Sequence, residues 1–211
     1  MRPERFFARP ITACWGGVAL LGAVALTAIL VPAEPLAIDR SWAEAMQDVQ
    51  TPVLDHIARV FDSLGHGLAR ALTLAAVALV LLIARRWLAL IAFALAESLA
   101  PLLSSLLKAL VDRPRPPGAL VHPVGSSFPS GHAVYAGTTA VALVLLLSAP
   151  GTGRWPWWTA AWLVIAAMAW SRTYLQAHWL SDVVAGSLLG VGISVVVFAG
   201  GQRWAPGRPR A

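Results

Sequence analysis

Residues 126–149 read SSFPSGHAVYAGTTAVALVLLLSA. The second half is apolar enough for a bilayer, while the first half is a turn ending in His132. A serine just before a helix is a natural cap, and a glycine beside it lets the backbone come close to a ligand. The first amides of a helix have no partners inside it and point toward an anion. A membrane span needs no histidine at its lip. The stretch therefore predicts a helix that enters a membrane where something is bound or cut. Alone, Pro129-Ser130-Gly131-His132 is an ordinary capping turn, and its meaning depends on what else reaches the same place.

Working outward, the 211-residue chain is 58% hydrophobic and only 12% charged. A soluble domain carries about 25% charged residues, so this composition indicates an integral membrane protein. The single cysteine, Cys14, leaves no internal disulfide framework and no cysteine-based zinc site. The net charge of +6 does not come from one basic run, so nucleic acid is not an expected partner. The basic residues sit at the ends of apolar stretches, where topology signals and anion sites belong, and ten tryptophans suit the membrane interface.

A span needs about 20 mainly apolar residues. Six stretches are expected to supply one each: 11–31, 68–84, 87–110, 132–149, 156–170 and 182–199. The first begins with Arg2, Arg5 and Arg9 and leaves through Val31-Pro32-Ala33, as a signal peptide would, but its apolar run is longer than a signal sequence needs. It is expected to be kept as a span. The expected fold class is all-α, a polytopic membrane protein of six transmembrane helices forming a single domain over residues 1–211.

The basic residues orient this bundle. The arginines before span one, Arg85 and Arg86, Arg154, and Arg203, Arg208 and Arg210 all fall on one side of a six-span serpentine. That side is expected to be cytoplasmic, with both termini on it. Residues 32–67 then lie outside the cytoplasm; they are acid-rich and are expected to form one or two short amphipathic helices on the outer surface. Residues 201–211, GQRWAPGRPRA, are expected to be a disordered cytoplasmic tail. Lys108, Arg113, Arg115 and Arg172 are exceptions, because they fall on the outer side, where topology calls for no cations.

Three segments emerge on that outer face: KALVDRPRP (108–116), PSGH (129–132) and SRTYLQAHWLSD (171–182). His178 and Asp182 are four residues apart and share a face of a helix. A carboxylate there can take the hydrogen of one imidazole nitrogen and leave the other as a lone pair, which prepares a histidine as nucleophile or base. Arg172 is about 120° out of line with His178 on a straight helix, so a turn is expected around residues 175–177. In the first segment the prolines end the helix. Arginine offers a fork matched to phosphate oxygens and lysine a point charge; spacing alone does not choose between Arg113 and Arg115. Three cations and helix-end amides suit a phosphoryl group, with the cations taking the role Mg²⁺ plays elsewhere.

These residues resemble the signature of the type-2 phosphatidic acid phosphatase superfamily, membrane lipid phosphatases related to vanadium haloperoxidases. The pattern is K-x6-RP, then PSGH, then SR-x5-H-x3-D. Lys108 with Arg115-Pro116, Pro129 to His132, and Ser171-Arg172 with His178 and Asp182 match it in order and spacing. The resemblance implies that His178 is the nucleophile of a phosphohistidine intermediate and Asp182 its orienting partner. It implies that His132 is the general acid, and that Lys108, Arg115, Ser130, Gly131 and Arg172 cradle the phosphate. It selects Arg115 over Arg113 and implies metal-independent catalysis with no cofactor. The substrates it implies are membrane lipid phosphates: phosphatidic acid, phosphatidylglycerol phosphate or polyprenyl diphosphates such as undecaprenyl diphosphate. The site is expected at the extracytoplasmic interface of the cell membrane. Two other readings use the same chain: a lipid phosphotransferase working through the same histidine, and an inactive lipid-binding membrane protein.

Glu97 lies inside the third span, and Glu97, Pro101, Ser104 and Lys108 share one helical face. This stripe is expected to support Lys108. His56, His66 and His122 are read as surface or loop histidines.

Overall fold

The computed structural model describes residues 4–31 and 34–204. The readings made on Arg2, on Pro32-Ala33 and on Ala205–Ala211 lie outside the described residues. Eight α-helices follow one another, and the described residues contain no strand: α1 Pro10–Leu30, α2 Ala37–Asp48, α3 Pro52–Leu64, α4 Gly67–Ile83, α5 Trp87–Leu110, α6 Gly131–Leu147, α7 Trp155–Tyr174 and α8 Leu180–Trp204.

Prolines and a cap set several boundaries. Pro10, Pro52 and Pro156 occupy the first helical turn of α1, α3 and α7, where a missing N–H costs nothing. Thr51 accepts a hydrogen bond from the Leu54 amide at 3.3 Å and caps α3. The α3 and α4 axes bend by 53° across a two-residue break, Gly65-His66, after which Gly67 opens α4 with a φ of 57°, a left-handed conformation natural to glycine.

α6 is the centre of the bundle, buried on nearly all sides from Ala133 to Leu146 and packed by α5, α7 and α8. Its close approach to α8 depends on glycines. A Cβ on Gly137 would stand 2.7 Å from the Ser187 carbonyl oxygen, and one on Gly190 would overlap the Val134 carbonyl. Small residues that let backbones meet are the usual basis of helix packing in lipid. α1 leans on the far side of α8, with Gly17 against Val196.

The outer surface is apolar. On α5, Ala89, Ala92, Phe93, Ala96 and Ala100 face the core, while Ile91, Leu95, Leu99, Leu102, Leu106 and Leu110 are exposed. This stripe runs the whole 24-residue helix, about 36 Å at 1.5 Å per residue, enough to cross a hydrocarbon layer of about 30 Å. Among the described residues three helices, α1, α5 and α8, are long and apolar enough to span a bilayer, and up to four spans are present if α3 and α4 count as one bent span. α6 has only 17 residues, and α7 ends in Ser171-Arg172-Thr173-Tyr174 rather than in apolar residues.

The two ends of the bundle differ. At one end, Gln202 accepts from the Phe6 and Phe7 amides at 2.8 Å. There Arg154 donates to the Phe6 carbonyl at 2.6 Å and Arg86 to the Leu146 carbonyl at 2.8 Å. The N-terminal segment, the α4–α5 and α6–α7 links and the end of α8 therefore meet, bringing together the basic clusters of the sequence. The stretch expected to be disordered from residue 201 is helical as far as Trp204, because α8 continues and Gln202 is held by the N-terminal segment.

Residues 34–67 do form two short helices, α2 and α3, but they are more than a surface layer. They pack on α7 and α8 at the opposite end and send side chains inward. Gln176 donates to the Ala43 carbonyl at 3.0 Å, and Tyr174 donates to Asp55 at 2.7 Å.

Candidate active site

At this second end a cavity of about 490 Å³ opens, lined by Lys108, Arg115, Gly131, His132, Arg172 and His178. Six of the eight residues singled out in the sequence thus share one space, and Ser130 and Asp182 are fully buried. Each arrives on a different local device. Lys108 lies on the last turn of α5, its Nζ donating to the Ser126 carbonyl at 2.7 Å. Gly131 and His132 open α6. Arg172 and His178 flank a tight turn after α7, in which the Ala177 and His178 amides both point at the Arg172 carbonyl, at 3.1 and 3.3 Å. Gln176 takes a positive φ of 52° there, so the turn expected at residues 175–177 is where the chain reverses.

His178 is held in one tautomer. Its Nδ1 lies 2.7 Å from the Ser127 carbonyl, which only accepts. Its Nε2 lies 3.2 Å from Arg115 Nη1, which only donates. Nδ1 therefore carries the hydrogen, and the Nε2 lone pair accepts from Arg115 at the cavity that both residues line. Burial pushes the imidazole pKa down to about 4, so at neutral pH this lone pair is free of a proton. Asp182, the orienting partner read in the sequence, stands behind this bond: its Oδ2 is 3.8 Å from Nδ1, beyond hydrogen-bond distance but near enough for its charge to act on the ring. The helix begins only at Leu180, so His178 and Asp182 do not lie on one regular helical face. The Asp182 carboxylate accepts instead from the Trp179 amide at 2.9 Å and from Arg113 Nη1 at 2.6 Å.

Arg115 is pinned by carbonyls, donating to Ala177 at 2.7 Å, Val124 at 2.9 Å and Gly125 at 3.0 Å. Arg113 is buried away from the cavity, with Nη1 on Asp182 and Nη2 on Asp39 at 2.7 Å. The two arginines that spacing could not separate therefore have different surroundings, one on the cavity and one within an ionic core.

Two polar atoms here are buried without any hydrogen-bond partner: Arg172 Nε, on a residue that lines the cavity, and Ser130 Oγ, next in the chain to the lining Gly131. Ser130 stands at the cap position of α6, yet its hydroxyl caps nothing. A buried donor left unpaired costs about 1–3 kcal/mol, so both atoms are suited to an anion that supplies acceptors. Gly131 adds open space: a Cβ there would meet no atom within 4 Å.

The sequence reading missed what α2, α3 and the bend contribute. Asp39 accepts from the Ser181 amide at 2.8 Å and caps α8 across the chain. Asp62 forms an ion pair with Arg172, and its carboxylate lies 3.2 Å from His132 Nε2. His66, read as a surface residue, meets the His132 ring edge-on at 5.5 Å and lines the cavity, as does His122. An acid-rich segment opposite an outer face rich in cations was the available signal. Glu97 does not support Lys108: it accepts from Thr139 Oγ1 at 2.6 Å, a bond between neighbouring helices. Asp62, His66 and His132 bring one donor atom each within 4.8 Å. The Arg172 guanidinium on Asp62 is a fixed positive charge that opposes a cation there.

A signature of the PAP2 superfamily matches residues 87–205. The undecaprenyl-diphosphatase of Sulfolobus acidocaldarius is 42% identical over 72 residues, covering 34% of this chain and 32% of that protein. The match thus spans about a third of the relative's length. The first transmembrane PAP2-type phosphatidylglycerolphosphate phosphatase solved from Bacillus subtilis superposes with a TM-score of 0.69 at 24% identity, covering 94% of this chain and 98% of that one. Aquifex aeolicus LpxE superposes with a TM-score of 0.65 at 24% identity, covering 78% and 96%. At this identity the two structures speak to the fold.

Proposed function

Because the chain belongs to the PAP2 superfamily, a family of phosphatases, we propose that it hydrolyses a membrane lipid phosphate or diphosphate through a phosphohistidine at His178, without a metal ion. The observation that carries this reading is the gathering of Lys108, Arg115, Arg172, Gly131, His132 and His178 around one cavity, with Arg172 Nε and the Ser130 Oγ next to Gly131 buried without a hydrogen-bond partner. Phosphate oxygens would accept from Lys108, Arg115, Arg172, Ser130 and the Gly131 amide, replacing Asp62 at Arg172. His178 Nε2 attacks phosphorus as the bond to the lipid oxygen breaks. His132, protonated once the anionic phosphate sits beside it, gives that oxygen a proton and is left neutral. Water then cleaves the P–N bond and phosphate leaves. The developing charge is met by preorganised cations and amides, which is the larger part of such catalysis.

The wider setting belongs to the same proposal. Residues 1–211 form one domain that crosses the membrane six times, with both termini cytoplasmic and the cavity extracytoplasmic. The separation of the basic clusters at one end from the cavity at the other supports it. Polyprenyl diphosphates and glycerophospholipid phosphates are the proposed substrates, in keeping with the names of the similar proteins.

Phosphate release by the purified protein over a panel of lipid phosphates, with and without EDTA, tests the reading. Release that survives EDTA is expected. No release from any lipid, or release abolished by EDTA and restored by a metal, would overturn it. Transfer of the phosphoryl group to a second lipid in place of water would mark a phosphotransferase.

Gly131 provides a sharper check. Gly131→Ala is expected to melt like the wild type, because the new methyl meets nothing but the cavity. Turnover should fall about 10²-fold as the methyl enters the phosphate space. Unchanged turnover would remove Gly131 from the cradle.

A further inference from the structure

Beside the main cavity lies a second one of about 240 Å³, lined by Arg70, Ser104 and Ser105. The two cavities share His66, Lys108, Gly131 and His132 in their linings. Arg70 sits half-buried on the first turns of α4. Its guanidinium carbon lies 4.9 Å from the centre of the Tyr135 ring. Among the described residues it makes no ion pair and no side-chain hydrogen bond; Glu97, in the same lining, is tied to Thr139. The chamber is lined by two cations, Arg70 and Lys108, against one carboxylate, Glu97, and by the Ser104 and Ser105 hydroxyls, a set of donors suited to an anion.

Tyr135 also lines a third cavity, of about 410 Å³, whose walls are almost wholly apolar and include Leu143, Val144, Trp157 and Val164. The His178 cradle and the chamber with Arg70 and Lys108 share four lining residues, and Tyr135 stands between that chamber and an apolar groove walled mainly by α6 and α7. His132 stands where the first two meet.

Resting on the proposed phosphatase reading, we propose that the Arg70 chamber is a second anion subsite that holds the inner phosphate of a lipid diphosphate. The terminal phosphate lies in the cradle, the inner one against Arg70 and Lys108, and the hydrocarbon chain in the apolar groove past Tyr135. His178 Nε2 bonds to the terminal phosphorus while the bond from that phosphorus to the bridging oxygen breaks. The bridging oxygen takes the His132 proton, and its position between the two phosphates is the junction that His132 lines. The lipid leaves as a monophosphate, and water releases the terminal group from His178 as inorganic phosphate. A lipid monophosphate fills the cradle and leaves Arg70 unused.

The test compares farnesyl diphosphate with farnesyl phosphate, which differ by one phosphate on the same chain, in the full-length protein and its Arg70→Gln and Arg70→Lys variants. Arg70→Gln is expected to lower kcat/KM for the diphosphate by about 10- to 100-fold, the range of a hydrogen bond to a charged group. The monophosphate should change less than about 2-fold on the same grounds, and Arg70→Lys should recover part of the loss. Equal effects on both substrates, or none on either, would overturn the subsite while leaving the phosphatase reading intact. If Arg70→Gln does not fold, an unchanged substrate preference in Arg70→Lys overturns it equally. A wild-type protein that releases phosphate from neither compound would overturn the phosphatase reading itself.

Discussion

Replacing His178 by alanine is expected to reduce phosphate release by at least about 10³-fold, the scale of removing a nucleophile that acts with a set of partners. The fold should survive. The Asp182 carboxylate keeps Arg113 and the Trp179 amide, because His178 is not its hydrogen-bond partner. The Ser127 carbonyl loses a donor and Arg115 Nη1 an acceptor, but Arg115 keeps the Ala177 carbonyl. The cavity should still bind an anion, since Lys108, Arg115 and Arg172 remain. Phosphate release assayed beside a thermal melt separates these effects. Near-wild-type turnover in a folded His178→Ala protein would reject the assigned chemistry.

The largest effect on stability is expected at a residue that never touches the cavity. Arg113 is fully buried and bridges two buried carboxylates, Asp39 of α2 and Asp182 of α8. Arg113→Met would leave both charges unpaired, which costs about 3–5 kcal/mol when one member of a buried ion pair is removed. The damage is local to the site as well, since Asp182 caps the turn carrying His178, and Asp39 holds the start of α8 at Ser181. Denaturant unfolding in micelles should show the loss, and Arg113→Met combined with Asp39→Asn should recover part of it. An unchanged unfolding midpoint for Arg113→Met would show that the ionic core holds nothing together.

These two residues mark what could be read in advance. His178 was legible because its chemistry is local: a histidine, an arginine six residues before it and a glycine-led helix start are all visible as spacing. Six of the eight residues so identified share a cavity because the spacings bring three loops to one end of a helical bundle. What His178 bonds to was not legible. Its hydrogen-bond partner is the Ser127 carbonyl, and a backbone acceptor leaves no mark on the sequence, whereas Asp182 four residues later was visible and stands 3.8 Å from the same nitrogen.

The acids of α2 and α3 show the same limit. Asp39 and Asp62 look like solvated charges on amphipathic helices. Their burial depends on those helices folding onto Arg113 and Arg172, more than 70 and 100 residues away in the chain. Glu97 was correctly placed on a helical face with Lys108, but a face does not specify a partner, and Thr139 on α6 is nearer. The outward stripe of α5 and the glycine contact of α6 with α8 follow directly from residue type. The stretches expected at 132–149 and 156–170 lie close to α6 and α7, but residue type did not tell them apart: α6 is buried on nearly all sides, while α7 leaves Trp155, Trp157, Trp162, Leu163 and Val164 exposed.

The central claim is that phosphorus becomes bonded to His178. The direct measurement is rapid mixing of the protein with a ³²P-labelled lipid phosphate, followed by an alkaline quench that preserves phosphohistidine, and then peptide mapping. The account predicts label on the peptide carrying His178, lost on acid treatment and absent from His178→Ala. Turnover with no labelled protein at any quench time, or label on a residue other than His178, would contradict it.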